Sequence, residues 1–453
     1  MGKNRGAAKD ATMSSDCFLP VASIRRTLIH VLCALGLAGA LMIAFRPPLY
    51  APYQEGNEYA AMASGHDSRL HSYYAGRVLH PWAVHALAQI LHRPPDAAVF
   101  RLMSDISLVV ALAALSIYYA LDGCNWSLVF FAATPILIDQ YRNYYWADLF
   151  YLTVWLVFLL VLRSNIWLSL PLVVALYLTR ESTIILVASL VIVGLLQGKK
   201  LFVAGSLAAG FAGASLISPR VSSALPNTHG ISIWMLDLLK VPFNFALNIL
   251  GVSLWTNTIA STTPPPARFF VLPAFLRLGD IVQVGYIDWS WTRPAALALF
   301  LFSAFGVLPL ISFRSLRIGS IKNEPVDQAI SRLFGAFMLI LTPLTGTTPS
   351  RYVLYSAPLF WITSVLWMRN WSWRRVVPLA GLSLAVAWFP VFVRLAGDRR
   401  FISSISLLPT RPVQLLMSLT VTLLALQALS RKMELCDNAT SNETVHISGG
   451  IEG

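Results

Sequence analysis

Long apolar runs, each near the length of a bilayer crossing, alternate along the chain with short polar breaks. The pattern predicts helical spans near 26–45, 98–121, 126–139, 146–162, 166–179, 182–197, 201–218, 294–313, 328–346, 352–368, 375–393 and 412–430. Several fall short of the ~20 residues that an upright crossing needs. The expected fold is therefore an all-α, polytopic bundle of about eleven spans, in a range of about 9–13. Residues 166–197 form one apolar run with Arg180 and Glu181 inside it. A single helix there would extend ~48 Å, so a hairpin turning at Arg180-Glu181 fits better.

The breaks divide the chain into a tail at 1–25, one transmembrane domain at 26–430 and a tail at 431–453 expected to lack regular structure. Two loops are long, about 46–97 and 219–293. In the first, Ala83, Val84, Leu87, Ile90 and Leu91 recur at helical spacing opposite His85, Gln89 and His92, with Pro81 suited to a first helical turn. That pattern predicts an amphipathic helix in the interface plane. The second loop holds an amphipathic piece, 231–254, and the run Pro264-Pro265-Pro266.

Composition agrees with a membrane protein: 56% hydrophobic against 12% charged residues, with mean hydropathy +0.64 over 453 residues. The first apolar segment has no small-residue cleavage site and reads as an anchor. The net charge of +13 is scattered between apolar segments and forms no nucleic-acid stripe. Read by the excess of Lys and Arg at span ends, it puts Lys3, Arg5, Lys9, Arg25, Arg26, Arg163, Lys199, Lys200, Arg314, Arg317, Lys322, Arg369, Arg374, Arg375, Arg431 and Lys432 on the cytoplasmic side. Cys17, Cys33, Cys124 and Cys436 are widely separated and read as free thiols.

With this sidedness, Glu55, Glu58, Asp67, Arg77, Asp139, Arg142, Asp148, Arg180 and Glu181 gather on the outer face. Charges near hydrocarbon pair, line a watery cavity or do chemistry. Each has a bland reading as well. Arg180 and Glu181 would snorkel at a span end; Asp139 with Arg142, and Arg101 with Asp105, would be local helical pairs; Glu58 would be an interfacial acid. Tyr73, Tyr74, Tyr144, Tyr145 and Trp146 would stack on a sugar or, by default, settle in the headgroup layer. Five of the eight histidines lie between His66 and His92, without the i,i+4 spacing of a helical zinc site, so no metal ligands are assigned.

In order along the chain, NEYAAMASG (57–65), YYAGRVLHPW (73–82), RNYYWADLFYL (142–152), YLTRESTIIL (177–186) and SRYVLYSAPLFW (350–361) resemble the GT-C class of integral-membrane glycosyltransferases. The resemblance implies sugar transfer from a polyprenyl-phosphate donor to a glycan, lipid or protein acceptor at the outer face of a plasma membrane, the inner membrane in a bacterium. It implies a catalytic acid in the first outer loop, Glu58 or Glu55, with Glu58 chosen as base. Arg77, Arg142, Arg180 and Arg351 would hold the phosphate, and Asp148 or Glu181 would orient an arginine, bind sugar hydroxyls or ligate a divalent cation (Mg or Mn). Where many members carry an Asp, Asp-Asp or Asp-Glu, this chain has Glu55 and Glu58 separated by Gly56 and Asn57. The rival classes are a lipid or solute transporter and a non-catalytic scaffold of a polysaccharide assembly complex.

Overall fold

The computed structural model describes residues 21–53, 55–66, 72–223, 241–256 except 243 and 247, 270–271, 284–315, 321–345, 349–397 and 411–448. The N-terminal tail to residue 20, Asp67, the first part of the 231–254 piece and the Pro264-Pro265-Pro266 run lie outside the described residues.

A first helix, α1 (Val21–Phe45), leads into a cap of shorter helices, α2 (Glu55–Ala63), α3 (Ser72–Ala75) and α4 (Leu79–Ile90). The chain then runs back along α1 as α5 (Ala97–Leu121). Asp96 starts α5, its carboxylate accepting from the Ala98 and Val99 amides at 3.0 and 3.1 Å, which satisfies two donors that the helix itself leaves open. A 3-10 segment (Trp126–Ala132) and α6 (Pro135–Arg142) return to the capped end, and α7 (Asp148–Ser164) runs down beside α5. Then come α8 (Leu170–Tyr177), α9 (Thr183–Leu196) and α10 (Lys200–Ser223). The second half comprises α11 (Thr292–Phe305), α12 (Leu308–Ser315), α13 (Val326–Thr345), α14 (Pro349–Tyr355), a π-helical turn (Leu359–Thr363), α15 (Ser364–Trp367), α16 (Trp373–Gly397) and α17 (Pro412–Ser448).

Among the described residues, five helical segments are long and apolar enough to cross a membrane: Ile24–Phe45, Ala97–Leu121, Lys200–Arg220, Trp373–Arg394 and Pro412–Ser430. Their outward side chains include Leu32, Phe211 and Val413 at 57%, 76% and 77% exposure, an apolar exterior suited to lipid. The interior is packed with aromatic rings: Trp155 stacks on Phe158 at 5.3 Å between centroids and meets Phe334 edge-on at 4.9 Å.

Several expected spans take another form. The stretch 126–139 is not one helix: Thr134 is extended (ψ 156°) because Pro135 disfavours helical backbone before it, so a 3-10 segment and α6 divide the run. The stretch 166–179 yields only α8, eight residues long, entered at Pro171. The span at 294–313 breaks at Gly306 (φ 59°) into α11 and α12. The hairpin at Arg180-Glu181 is present, between α8 and α9. The second loop departs from an all-helical chain by a small antiparallel sheet of β1 (Val252–Thr256), β2 (Phe270–Val271) and β3 (Val284–Trp289), ordered β1-β3-β2 with Val252 opposite Trp289. In the tail expected to lack structure, α17 continues to Ser448.

The amphipathic helix α4 forms, with Pro81 in its first turn, but its buried face is His80, Pro81, Val84 and Ala88. Of its apolar stripe, Val84 is buried, Ala83 and Leu87 are half-buried, and Ile90 and Leu91 are 74% and 40% exposed. His85 Nδ1 donates to the Ala63 carbonyl at 2.8 Å, which ties α4 to α2. Two aromatic expectations also change: Tyr144, Tyr145 and Trp146 are buried, neither at a lipid surface nor in an open cleft. Tyr144 and Tyr145 pack on Tyr50, at 4.5 and 5.6 Å between centroids.

Candidate functional site

The cap of short helices covers a cluster of charges drawn from four segments. Glu55 stands in the first turn of α2, Arg77 precedes α4, Asp148 opens α7, and Arg180-Glu181 form the α8–α9 turn. The Leu79 amide donates to the Leu178 carbonyl at 3.0 Å, which pins the start of α4 against that turn and brings Arg77 to Glu181. The rigidity of the frame comes from backbone bonds of this kind together with close packing: a Cβ on Gly56 would stand 3.0 Å from Tyr145 Cβ, so α2 approaches the 143–147 turn at glycine distance.

Arg77 is nearly saturated. Its Nε donates to Glu181 Oε2 at 2.8 Å and its Nη2 to Glu181 Oε1, a two-point grip, while Nη1 reaches Tyr59 Oη at 3.3 Å and Glu55 Oε2 at 3.5 Å. Arg180 is also buried and donates through Nη2 to Asp148 Oδ1, which Tyr355 Oη shares as a second donor. Its guanidinium lies 5.9 Å from the Tyr355 ring centre, and its Nε has no hydrogen-bond partner among the described residues. The snorkelling reading of Arg180 is thereby overturned: the side chain turns inward to a carboxylate and is 3% exposed.

Among the described residues, the carboxylates of Glu55, Asp148 and Glu181 face the guanidiniums of Arg77 and Arg180. Glu55 and Asp148 are 4% and 0% exposed, whereas the Glu181 side chain keeps 52% of its accessibility. Glu181 thus marks the open side of this charged recess. Burial alone would raise its pKa; the Arg77 guanidinium outweighs that and, with Arg180, holds the carboxyl below its ordinary range. Of the three carboxylates, Glu181 is the one that solvent or a ligand can reach.

Glu58 lies one helical turn beyond Glu55 on α2 and is half-buried, at the edge of the face that Glu55, Tyr59, Met62 and Ala63 bury. The hydrogen bonds of Arg77 and Arg180 run to Glu55, Tyr59, Glu181 and Asp148 rather than to Glu58. Arg142 ends α6, and its backbone carbonyl accepts from Tyr50 Oη at 3.1 Å. Asp139 itself accepts from Gln140 at 3.0 Å and from Asn143 at 3.4 Å, so the local pair expected with Arg142 is not its hydrogen-bonded partner. Arg351 belongs to α14, four residues before Tyr355, and its side chain is outside the description. The Arg101–Asp105 pair does not form: Arg101 donates to the Pro47 carbonyl at 3.3 Å, and Asp105 accepts from Tyr141 Oη at 2.8 Å.

Three members of the site carried no assigned role in the sequence. Tyr59 and Tyr355 each bond a charged member, and His80 is wedged among Tyr59, Phe100 and Phe150 with ring centres 6.1, 5.7 and 5.4 Å away. For the two tyrosines, their place in NEYAAMASG and SRYVLYSAPLFW beside or near a charged residue was the signal; for His80 there was none. Among the described residues, no three of His, Cys, Asp and Glu converge so as to hold a metal ion, and no step proposed for the site runs through one. Cys33 and Cys124 are free thiols, as expected. Compared with protein-family models, curated proteins and solved structures, the chain matches none.

Proposed function

We propose that the chain is a GT-C-type inverting glycosyltransferase, built on about eleven membrane segments, that moves a sugar from a polyprenyl phosphate to a glycan, lipid or protein acceptor at the outer membrane face. The observation that supports it is the recess itself: two buried arginines and the acids Glu55, Asp148 and Glu181 converge from four segments at one end of the bundle, with Glu58 one turn away. In this reading the acceptor oxygen attacks the anomeric carbon and passes its proton to Glu58. The sugar–phosphate bond breaks, and the lipid phosphate leaves with the electron pair. Arg180, whose Nε still has a donor to offer, meets the developing negative charge, assisted by Arg142 and Arg351. Arg77 is held by Glu55 and Glu181 and serves to position the recess, and the half-exposed Glu181 takes sugar hydroxyls.

One observation favours a second reading, a non-catalytic scaffold: both buried arginines are already paired with carboxylates, as in a structural ion network. Purified protein with labelled polyprenyl-phosphate sugars and candidate acceptors separates them. The enzyme reading expects transfer by the parent chain and a loss of about 100-fold or more in Glu58→Gln, at an unchanged unfolding midpoint. Parent-level transfer by Glu58→Gln would remove that residue as base. No transfer by the parent, with movement of labelled substrate across proteoliposomes, would establish the transporter instead.

A further inference from the structure

The helix α7 carries polar groups at both ends. Asp148 begins it in the recess, and Arg163, roughly 22 Å away along the axis at 1.5 Å per residue, ends it at the opposite pole of the bundle. There Arg163 grips Asp122 by two bonds of 2.6 and 2.7 Å. Beside this pair opens a cavity of about 960 Å³, lined by Lys199, Lys200 and Arg369 as well as by Arg163, Asp122 and Asp327. Its volume is in the range of about 300–1,000 Å³ of small-molecule sites.

The charges in it do not cancel. Asp122 is neutralised by Arg163, and Asp327 accepts from Tyr118 Oη. Lys199, Lys200 and Arg369 have no carboxylate partner among the described residues. Scattered loop cations that only orient a membrane protein have no reason to meet. Here residues about 170 positions apart in sequence converge on one concavity. The positive end of α10, which starts at Lys200, lies on the same side. The lining also includes Trp167 and Leu201, 51% and 74% exposed, so large apolar surfaces border the cations. Cationic depth beside an exposed apolar rim fits a molecule with a phosphate at one end and hydrocarbon at the other.

We propose that this cavity is a second ligand site that binds a phosphate-bearing anion, with Lys199, Lys200 and Arg369 on the phosphate and Trp167 and Leu201 against the acyl chains of an anionic phospholipid. The inference does not depend on the reading of the recess at the other end of α7.

The test titrates purified full-length protein in detergent with short-chain phosphatidylglycerol, with phosphatidylcholine of the same chain length, and with free glycerol phosphate, reading bound molecules by native mass spectrometry. Phosphatidylglycerol is expected to bind and phosphatidylcholine to bind far more weakly. Removal of charge should weaken binding about fivefold in Arg369→Gln and about twentyfold in the double variant Lys199→Gln/Lys200→Gln. The change Arg93→Gln, at an exposed pair with Asp96 in the cap, should leave binding unchanged, and all variants should keep the parent unfolding midpoint without lipid. Binding of phosphatidylglycerol alone identifies the headgroup of a lipid; equal binding of glycerol phosphate identifies the phosphate itself. Equal binding of both lipids, or binding that the lysine and arginine changes leave untouched, overturns the proposal.

Discussion

His80 is 2% exposed among aromatic rings, and its Nδ1 has no hydrogen-bond partner among the described residues. Burial, with the Arg180 charge close by, pushes its pKa from 6.5 down to about 3. Between those values the unfolded chain takes up a proton that the folded chain refuses. The stability linked to His80 is therefore complete above pH 6.5 and is lost as pH falls toward 3. Glu181 acts in the same direction, since its lowered pKa yields stability above its ordinary range that disappears in acid. His80→Phe keeps the ring contacts and removes the titrating nitrogens. From pH 6.5 to 5 the parent should lose about 2 kcal/mol that the variant does not, so its unfolding midpoint should fall less between pH 7.5 and 5. A parallel fall in both proteins would show that the histidine is not held neutral.

At the scale of an element, the break between α11 and α12 depends on one residue. Gly306 has φ 59°, and a Cβ there would lie 2.4 Å from the Ser383 carbonyl oxygen and closer still to Ser383 Oγ, the group that accepts from the Val307 amide at 3.1 Å. Gly306→Ala should cost about 2–4 kcal/mol from the left-handed backbone and the forced contact. Gly381→Ala, in α16 with nothing within 4 Å of its added Cβ, should leave the unfolding midpoint equal or higher. Thermal unfolding of the two variants in one detergent checks both. Such breaks explain what was legible beforehand. Where apolarity and length coincide, as in α1, α5, α10 and α16, the spans were readable from the chain. In 126–139 and 166–179 the apolar content was right, but it says nothing of the backbone breaks entered at Pro135 and Pro171. The amphipathic pattern of α4 was readable, but not that His80 joins its buried face, because periodicity does not tell protein-facing from lipid-facing apolar positions. Arg77, Asp148, Arg180, Glu181 and Glu55 stood out because charge is scarce in so apolar a chain. Which of them pair, and that Tyr59, Tyr355 and His80 join them, is decided by contacts more than a hundred residues apart in some cases, such as Tyr355 with Asp148.

For the whole molecule, the two polar poles define a testable orientation. In a background with the native cysteines replaced, Gln89→Cys on the exposed side of α4 should react with a membrane-impermeant thiol reagent on intact cells, and Lys199→Cys only after the cells are opened. Reaction of both from the same side would place the recess and the basic cavity on one surface and remove the topology that the proposed function requires. The length of α7 has one more consequence. Its 17 residues carry buried ion pairs at both extremities, yet they rise only about 25 Å, against about 30 Å of hydrocarbon in an ordinary bilayer. Because α7 lies in the packed interior, both ion pairs fall within the depth of the hydrocarbon, and it is the surrounding helices that screen them from lipid and let them persist there.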